Sequence, residues 1–214
     1  MPNKTTKELP AKYQGLTLIE LLVAITVLGF IAVIGWRGLD SIVRSRIALT
    51  SELEQTRGMQ LAFAQLQSDC AHLASPNILP DRTPLAAEQG RLILIRTVFA
   101  DNQPSRLQIV TYAARDGLLT RRESAATRDL SELDTLWRLA TNDTDTTQPV
   151  VLQTDVSSLT MRLWASGSWR SGIEAQMPAS GPVKSPLIPT GLEVKIQLRG
   201  HDSSLLKIFL LGAV

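Results

Sequence analysis

Apolar residues fill nearly every position from Leu16 to Trp36, and this run predicts a membrane-spanning helix. About 20 residues in an α-helix rise roughly 30 Å, which matches the hydrocarbon thickness of a bilayer. The run contains no Lys or Arg, and its one charged residue is Glu20. An ionisable group inside the membrane costs about 2.5 to 3.5 kcal/mol. Glu20 is therefore expected to have a function, with a partner supplied by a chain terminus or by another molecule.

Beyond Trp36 the apolar residues fall at helical spacing, which predicts that the helix continues as an amphipathic segment over 37–74. The stripe consists of Leu39, Ile42, Val43, Ile47, Leu49, Leu53, Met59, Phe63, Leu66, Cys70 and Leu73. Gly58 is the expected place for a kink, because glycine weakens a helix by about 1 kcal/mol relative to alanine. Ser75-Pro76 is expected to end the helix.

From Arg91 onward the apolar pattern changes to a period of two, which predicts antiparallel strands. They are expected at 91–100, 106–113, 118–122, 150–153 and 159–165, with a terminal hairpin over 191–211 and a tight turn at Asp116-Gly117. Residues 166–190 are rich in Gly, Ser and Pro and predict a surface loop that is either functional or mobile. The fold class is therefore α+β: a long N-terminal helix, membrane-spanning in its first half, packed on an antiparallel β domain over 75–214.

The 15 residues before the apolar run form a hydrophilic leader with three lysines and one glutamate. The positive-inside rule keeps such a leader in the cytoplasm and places the chain beyond Trp36 on the far side of the membrane. The leader ends at Gly15, and Leu16-Thr17-Leu18-Ile19-Glu20-Leu21 follows. This arrangement resembles the type IV prepilin signal, with Leu16 where that family usually has Phe.

The resemblance implies roles for three residues. A dedicated prepilin peptidase would cleave between Gly15 and Leu16 and then methylate the new amine of Leu16. That amine would be largely cationic at neutral pH, since the reference pKa of an α-amine is about 7.7 to 8.0. Glu20 would meet the amine of a neighbouring subunit during filament assembly, in a first helical turn whose dipole also favours an anion.

Two other interpretations of the N-terminal segment stay open. Glu20 could be tolerated by reaching towards the membrane interface without any further role. Val33-Ile34-Gly35 could instead be a cleavage site for ordinary signal peptidase, although the apolar region is long for such a signal and contains a carboxylate.

A softer pattern narrows the resemblance to the J-type minor pseudopilins of type II secretion. It consists of Gly35-Trp36-Arg37-Gly38-Leu39-Asp40 after the membrane core, the helix end at Gln65-Leu66-Gln67-Ser68-Asp69, the strand at 107–112 and the run at 116–122. This likeness implies a periplasmic two-sheet domain anchored in the inner membrane. It also implies a place in the pseudopilus tip complex with the I-type and K-type pseudopilins, with the H-type as a further candidate. The subunit would help to export folded proteins, and these secreted substrates are candidate binding partners.

The resulting organisation has four parts. Residues 1–15 are the cleaved leader, 16–36 the transmembrane and assembly helix, 37–74 its amphipathic continuation and 75–214 the periplasmic domain. Removing the leader leaves 19 basic and 19 acidic residues from the original 22 and 20, so the processed chain has no formal net charge. No nucleic-acid partner is expected, because phosphate binding needs clustered positive charge.

Chemistry typical of enzymes is missing from the exported part. His72 and His201 have no metal-ligand spacing, and the single cysteine, Cys70, lies on the apolar stripe and is expected to be a buried hydrophobe. The acidic stretch over 129–145 is expected to be a solvated loop, with an oxygen-ligand calcium site as the alternative. Trp137 and Trp164 are expected to be buried. The predicted function is thus a structural subunit with no catalytic residues, metal or cofactor.

Two rival functions remain at this point. One is a minor pilin of a type IV pilus or DNA-uptake filament, which belongs to the same structural class. The other is a periplasmic binding module held by an uncleaved single-pass anchor, which would keep its N-terminus and need no partner helices.

Overall fold

The computed structural model describes residues 17–88, 90–171 and 188–212. The chain forms two compact units that divide between Glu52 and Leu53. The first helix, α1 (Leu18–Ala71), belongs to the first unit up to Glu52 and to the second unit from Leu53. It ends shortly before Ser75-Pro76, as predicted, and a short 3-10 helix (Pro76–Ile78) follows, in which Ser75 Oγ accepts a hydrogen bond from the backbone N–H of Asn77.

The second unit contains two antiparallel sheets, as the α+β prediction requires. The first has the order β1-β2-β3-β4-β5, and the second has the order β7-β6-β8-β9. Their strands are β1 (Leu85–Glu88), β2 (Arg91–Ala100), β3 (Gln103–Arg115), β4 (Leu118–Glu123), β5 (Val150–Gln153), β6 (Val156–Ala165), β7 (Ser168–Ser171), β8 (Gly191–Leu198) and β9 (Ser204–Leu210). The predicted turn joins β3 to β4, where Asp116 and Gly117 both have positive φ (52° and 81°), as a two-residue hairpin turn demands.

The main core lies between the inner face of α1 and the two sheets. Its helical members are Met59, Ala62, Leu66 and Cys70, and its sheet members include Leu92, Leu94, Val110, Leu119, Leu159, Leu163, Val194, Ile196 and Phe209. Burial of Cys70 confirms its predicted role as a small hydrophobe. A second, smaller core lies on the opposite face of the five-stranded sheet, where Ile93, Ile95 and Ile109 pack with Leu133 and Ala140. Burial on both faces explains why β2 is continuously apolar over four residues.

The acidic stretch over 129–145 was predicted as a loop, and that prediction is wrong. It contains a second helix, α2 (Leu130–Thr141), whose N-cap is Asp129. Its apolar positions, Leu133 and Ala140, are the ones that enter the smaller core. The acidic residues made the segment resemble a solvated loop, whereas here one of them starts a helix.

Three smaller expectations also need correction. Gly58 lies inside the continuous α1 and marks a close contact with β5, not a kink. Trp164 is 36% exposed, because it occupies an outward position of β6 between the buried Leu163 and Ala165. Within the predicted loop 166–190, β7 occupies Ser168–Ser171, and residues 172–187 lie outside the described part of the chain.

Candidate functional site

The N-terminal part of α1 is apolar and fully exposed. Every residue from Thr17 to Glu54 is exposed, and an 18-residue window near the N-terminus has a mean hydropathy of 2.6 with none of it buried. Water-exposed apolar surface of this extent is unusual in a protein that works alone in solution. By length and composition this helix can cross a membrane, which agrees with the predicted anchor.

Glu20 takes part in a capping box at the start of this helix. One of its carboxylate oxygens, Oε2, accepts hydrogen bonds from the backbone N–H of Thr17 at 2.9 Å and from Thr17 Oγ1 at 2.8 Å. In return, the backbone N–H of Glu20 donates to Thr17 Oγ1 at 3.4 Å. Such a reciprocal pair satisfies donors that a helix N-terminus otherwise leaves free.

The geometry adds a local role for Glu20 that the sequence reasoning missed. The pattern Thr-x-x-Glu before an apolar run is the usual signal of a capping box, and it was present in Thr17-Leu18-Ile19-Glu20. Its partners there are hydrogen-bond donors and carry no charge, and no ion pair reaches Glu20 from the residues that the structure describes. Gly15 and Leu16 lie outside those residues, so their cleavage and methylation remain predictions.

In the second unit, Asp69 is the centre of a buried polar cluster that joins α1 to the five-stranded sheet. Its side chain is 0% exposed. Arg121 donates from Nε to one carboxylate oxygen at 2.8 Å and from Nη2 to the other at 3.0 Å. Arg96 Nη1 donates to Asp69 at 2.7 Å, and the hydroxyl of Tyr112 donates a short hydrogen bond to it.

Polar side chains on β3 and β4 extend the cluster towards the surface. Gln108 Oε1 accepts two hydrogen bonds from Arg96, at 3.0 and 2.8 Å. Gln108 Nε2 then donates to Glu123 at 3.1 Å. Glu123, which is the more exposed acid, also pairs with Arg121 and lies 3.5 Å from Arg96. The two arginines are therefore balanced by two carboxylates, and each carboxylate contacts both.

Burial and charge shift the pKa values of the groups around Asp69. Burial, followed by the negative charge of Asp69, raises the pKa of the Tyr112 hydroxyl, which stays protonated as a donor. Burial alone would lower the pKa of Arg121, but the hydrogen bonds to Asp69 and Glu123 outweigh it and raise that pKa. The same two influences, burial first and Asp69 second, raise the pKa of the Cys70 thiol to about 12.

A sequence signal for this cluster existed but was not used. Asp69 lies on the apolar stripe of α1, three residues after Leu66 and beside Cys70. A charge on the buried face of a helix needs a partner, because an unpaired buried charge is very costly. Its partners come from three strands and could not be chosen from the sequence.

The remaining candidate groups are held by separate contacts. Asp129 accepts from the backbone N–H of Ser131 at 2.8 Å, Asp134 pairs with Arg82 at 2.7 Å, and Asp143 pairs with Arg115. Over residues 17–88, 90–171 and 188–212, no three His, Cys, Asp or Glu side chains are placed to hold a metal. These acids thus act as a helix cap and as individual ion-pair partners.

The two histidines make backbone contacts. The Nδ1 atom of His72 lies 2.8 Å from the carbonyl oxygen of Ser68, and Nδ1 of His201 lies 3.3 Å from that of Arg199. His72 is half-buried, and its ring lies 6.3 Å from that of Phe99. Neither contact suggests proton transfer or metal ligation.

An apolar helix with a capping-box glutamate, followed by an antiparallel two-sheet domain, defines the class of pilin-like subunits. The family model of the prokaryotic N-terminal methylation motif matches residues 10–36, which include Gly15, Leu16 and Glu20. A second family model, type II secretion system protein J, matches residues 37–206. Because this second match covers more than three-quarters of the 214 residues, the chain belongs to the type II secretion system protein J family and is a minor pseudopilin of type II secretion.

Membership of this family bears on both activity and assembly. The family consists of structural pseudopilins, which assemble with other pseudopilins in the pseudopilus. The apolar N-terminal helix fits a membrane anchor. A comparison with curated proteins gives no match to this chain.

Proposed function

We propose that the chain is a non-enzymatic subunit of the pseudopilus tip. In this account it is inserted in the inner membrane through 16–36, with residues 37–214 in the periplasm and residues 1–15 as a cytoplasmic leader. Prepilin peptidase cleaves after Gly15 and methylates Leu16. The processed subunit then joins the I-type and K-type pseudopilins, with the H-type as a further candidate, and supports the export of folded proteins without a cofactor.

The observation that carries this proposal is the exposed apolar helix with a carboxylate in its first turn. In lipid the hydrophobic effect does not favour contact between helices, because acyl chains are as apolar as leucine. Close packing and polar pairing must then supply the preference for a partner. An amine created at Leu16 of one subunit and Glu20 of another provide one such pair, and the low dielectric of the surroundings strengthens their attraction.

The capping box indicates how Glu20 can be kept in the membrane before assembly. Its carboxylate already has two hydrogen bonds from Thr17, so part of its lost hydration is replaced within its own chain. These bonds leave the other carboxylate oxygen, Oε1, for a cationic partner. Assembly would therefore add a charge partner to a carboxylate that the helix start already holds in place.

The test separates capping from assembly with three variants of the full chain, expressed with prepilin peptidase and the partner pseudopilins. Glu20→Leu removes both the cap and the charge, Glu20→Gln removes the charge but keeps hydrogen-bonding atoms, and Thr17→Val removes the hydroxyl of the capping box while keeping the charge. We expect all three to insert in membranes. Co-purification with partner pseudopilins should be lost for both Glu20 variants and retained for Thr17→Val.

Two results would remove the assembly role of Glu20. One is unchanged co-purification of Glu20→Leu with the partners. The other is an equal loss for Thr17→Val and Glu20→Gln, because this would show that the start of the helix, and not the charge, is what partners require.

A further inference from the structure

Burial of the apolar inner face of α1 does not by itself determine where the helix lies along its axis relative to the sheets. The buried residues Met59, Ala62, Leu66 and Cys70 lie at helical spacing. A slide of one turn, about 5.4 Å, would bring Phe63, Leu66 and Cys70 to the first three of these places. Ala74 would reach the fourth if the helix, which ends at Ala71, extended to include it. All four replacements are apolar, so a displaced helix would still bury an apolar stripe.

Asp69 distinguishes the two positions, because it is the one charged residue among the buried residues of α1. In the slid helix Leu73 would take its place, and Arg121, Arg96 and Tyr112 would lose their acceptor. Arg121 is almost fully buried and could not find water instead. Leaving one member of a buried ion pair without its partner costs several kcal/mol.

Gly58 gives a second, independent mark of the same position. A Cβ atom on this residue would lie 2.0 Å from Oε1 of Gln153 and 3.3 Å from the carbonyl oxygen of Leu152 on β5. A slide by one turn in the same direction would bring Ala62 to this contact. The observed position of α1 therefore satisfies a polar requirement at Asp69 and a steric requirement at Gly58, and these two residues lie about three helical turns apart.

We propose that Asp69 is a positioning residue that fixes the register of α1 against the five-stranded sheet. Buried ion pairs often add little net stability compared with apolar residues of similar size, yet they can select one arrangement over its alternatives. The cluster does so here because its arginines and tyrosine lie on three different strands, β2, β3 and β4. A helix that is displaced along its axis breaks all of these contacts together.

The consequence for assembly rests on the proposed function. If the N-terminal half of α1 is drawn along its axis into the filament, residues 53–71 of the same helix receive that displacement. The Asp69 cluster would keep residues 53–71 from sliding along the five-stranded sheet, so the sheet would move together with this part of the helix. The register itself can be measured without any partner, so its test is separate from that of the assembly role.

The measurement is pulsed electron paramagnetic resonance on the full chain in detergent. One spin label is placed at Gln60→Cys on the exposed side of α1, and the second at Arg106→Cys or, in a separate sample, at Lys195→Cys on the sheets. All three sites are exposed. Native Cys70 stays unlabelled because its thiol is buried and its pKa is about 12. Two sheet positions are used so that an axial slide changes at least one distance.

We expect a single distance for each labelled pair in the otherwise unchanged chain. Asp69→Asn and Asp69→Leu should add a second population displaced by up to about 5 Å, with its share increased by about tenfold or more over the unchanged chain. Asp134→Asn is the matched control, because it breaks an ion pair between Asp134 of α2 and Arg82, and both residues lie outside α1. It should keep the single distance.

A folded Asp69→Leu chain that retains only the original distances would overturn the proposal. If the single variants fail to fold, Asp69→Leu/Arg96→Met/Arg121→Met removes the three buried charges together. Glu123 loses both arginines in this variant, but its side chain is 40% exposed and can be hydrated. This triple variant should fold and show both distances. A single distance in the triple variant, or its failure to fold, would mean that the cluster provides stability and not register.

Discussion

Replacing Gly58 with alanine should not stabilise the protein, although alanine is the better helix former by about 1 kcal/mol. The added Cβ would lie 2.0 Å from Oε1 of Gln153, far inside van der Waals contact. Gln153 is only 4% exposed, so its amide has no open path to solvent. Overpacking of this kind costs about 1 to 3 kcal/mol. The expected net change in the free energy of unfolding therefore runs from about zero to a loss of about 2 kcal/mol.

A double-mutant cycle isolates this contact. Gln153→Ala removes the obstructing side chain, so Gly58→Ala made in that background should recover most of the helix-propensity gain. The coupling free energy between the two sites should be about 1 to 3 kcal/mol. Denaturant unfolding of the full chain in detergent, followed by the fluorescence of its four tryptophans, provides the measurement; Trp137, Trp164 and Trp169 lie in the β domain and Trp36 in the apolar helix. A gain of about 1 kcal/mol from Gly58→Ala in both backgrounds would refute the reasoning.

Two further predictions concern ionisation. The hydrogen bond from Arg82 lowers the pKa of Asp134. The pair therefore stabilises the folded chain above the unfolded carboxyl pKa of about 3.9, and this stabilisation is lost as the pH falls through the lower folded value. Thermal midpoints measured from pH 6 to pH 2.5 should fall more for the native chain than for Arg82→Met, and parallel curves would contradict this. Burial raises the pKa of Cys70 to about 12, so iodoacetamide at pH 9 should modify the folded chain about a hundredfold or more slowly than the chain in denaturant, and equal rates would show that the thiol is accessible.

Most of the fold could be predicted because it follows from repeating local patterns. The period-two segments gave β2, β3, β4 and the terminal hairpin, and the apolar stripe gave α1 almost to its last residue. Each of these elements repeats its signal over several turns or residue pairs, so one ambiguous position does not change the result. The strands β1 and β7 have four residues each, as β5 does, but β5 contains Val150-Val151-Leu152, whereas β1 and β7 contain no β-branched residue to indicate a strand.

The missed helix α2 shows how composition can hide a pattern. Leu130, Leu133, Trp137 and Ala140 have helical spacing, and Asp129 with Glu132 three residues later is a typical helix start. The surrounding acids suggested a solvated loop and outweighed that spacing. Trp164 shows the same error in a strand, since its large apolar surface suggested burial while the alternation of β6 placed it outward.

The candidate site could be predicted only as far as it depends on residues close in sequence. Gly15, Leu16 and Glu20 follow from one continuous signal, and the capping box of Glu20 needs only Thr17. The Asp69 cluster and the contact of Gly58 with Gln153 depend on strands 27 to 95 residues further along the chain. A lone charge on an apolar stripe indicates that a partner exists, but the topology of the sheet decides which residue it is.

The central claim is that this minor pseudopilin enters the filament pathway through processing at Gly15. The most direct test is intact-mass and N-terminal analysis of the full chain purified from membranes that contain prepilin peptidase. The account predicts a chain that begins at N-methylated Leu16. A chain that keeps residues 1–15, or one that begins at Trp36, would contradict it and would favour an uncleaved anchor or a conventionally secreted domain.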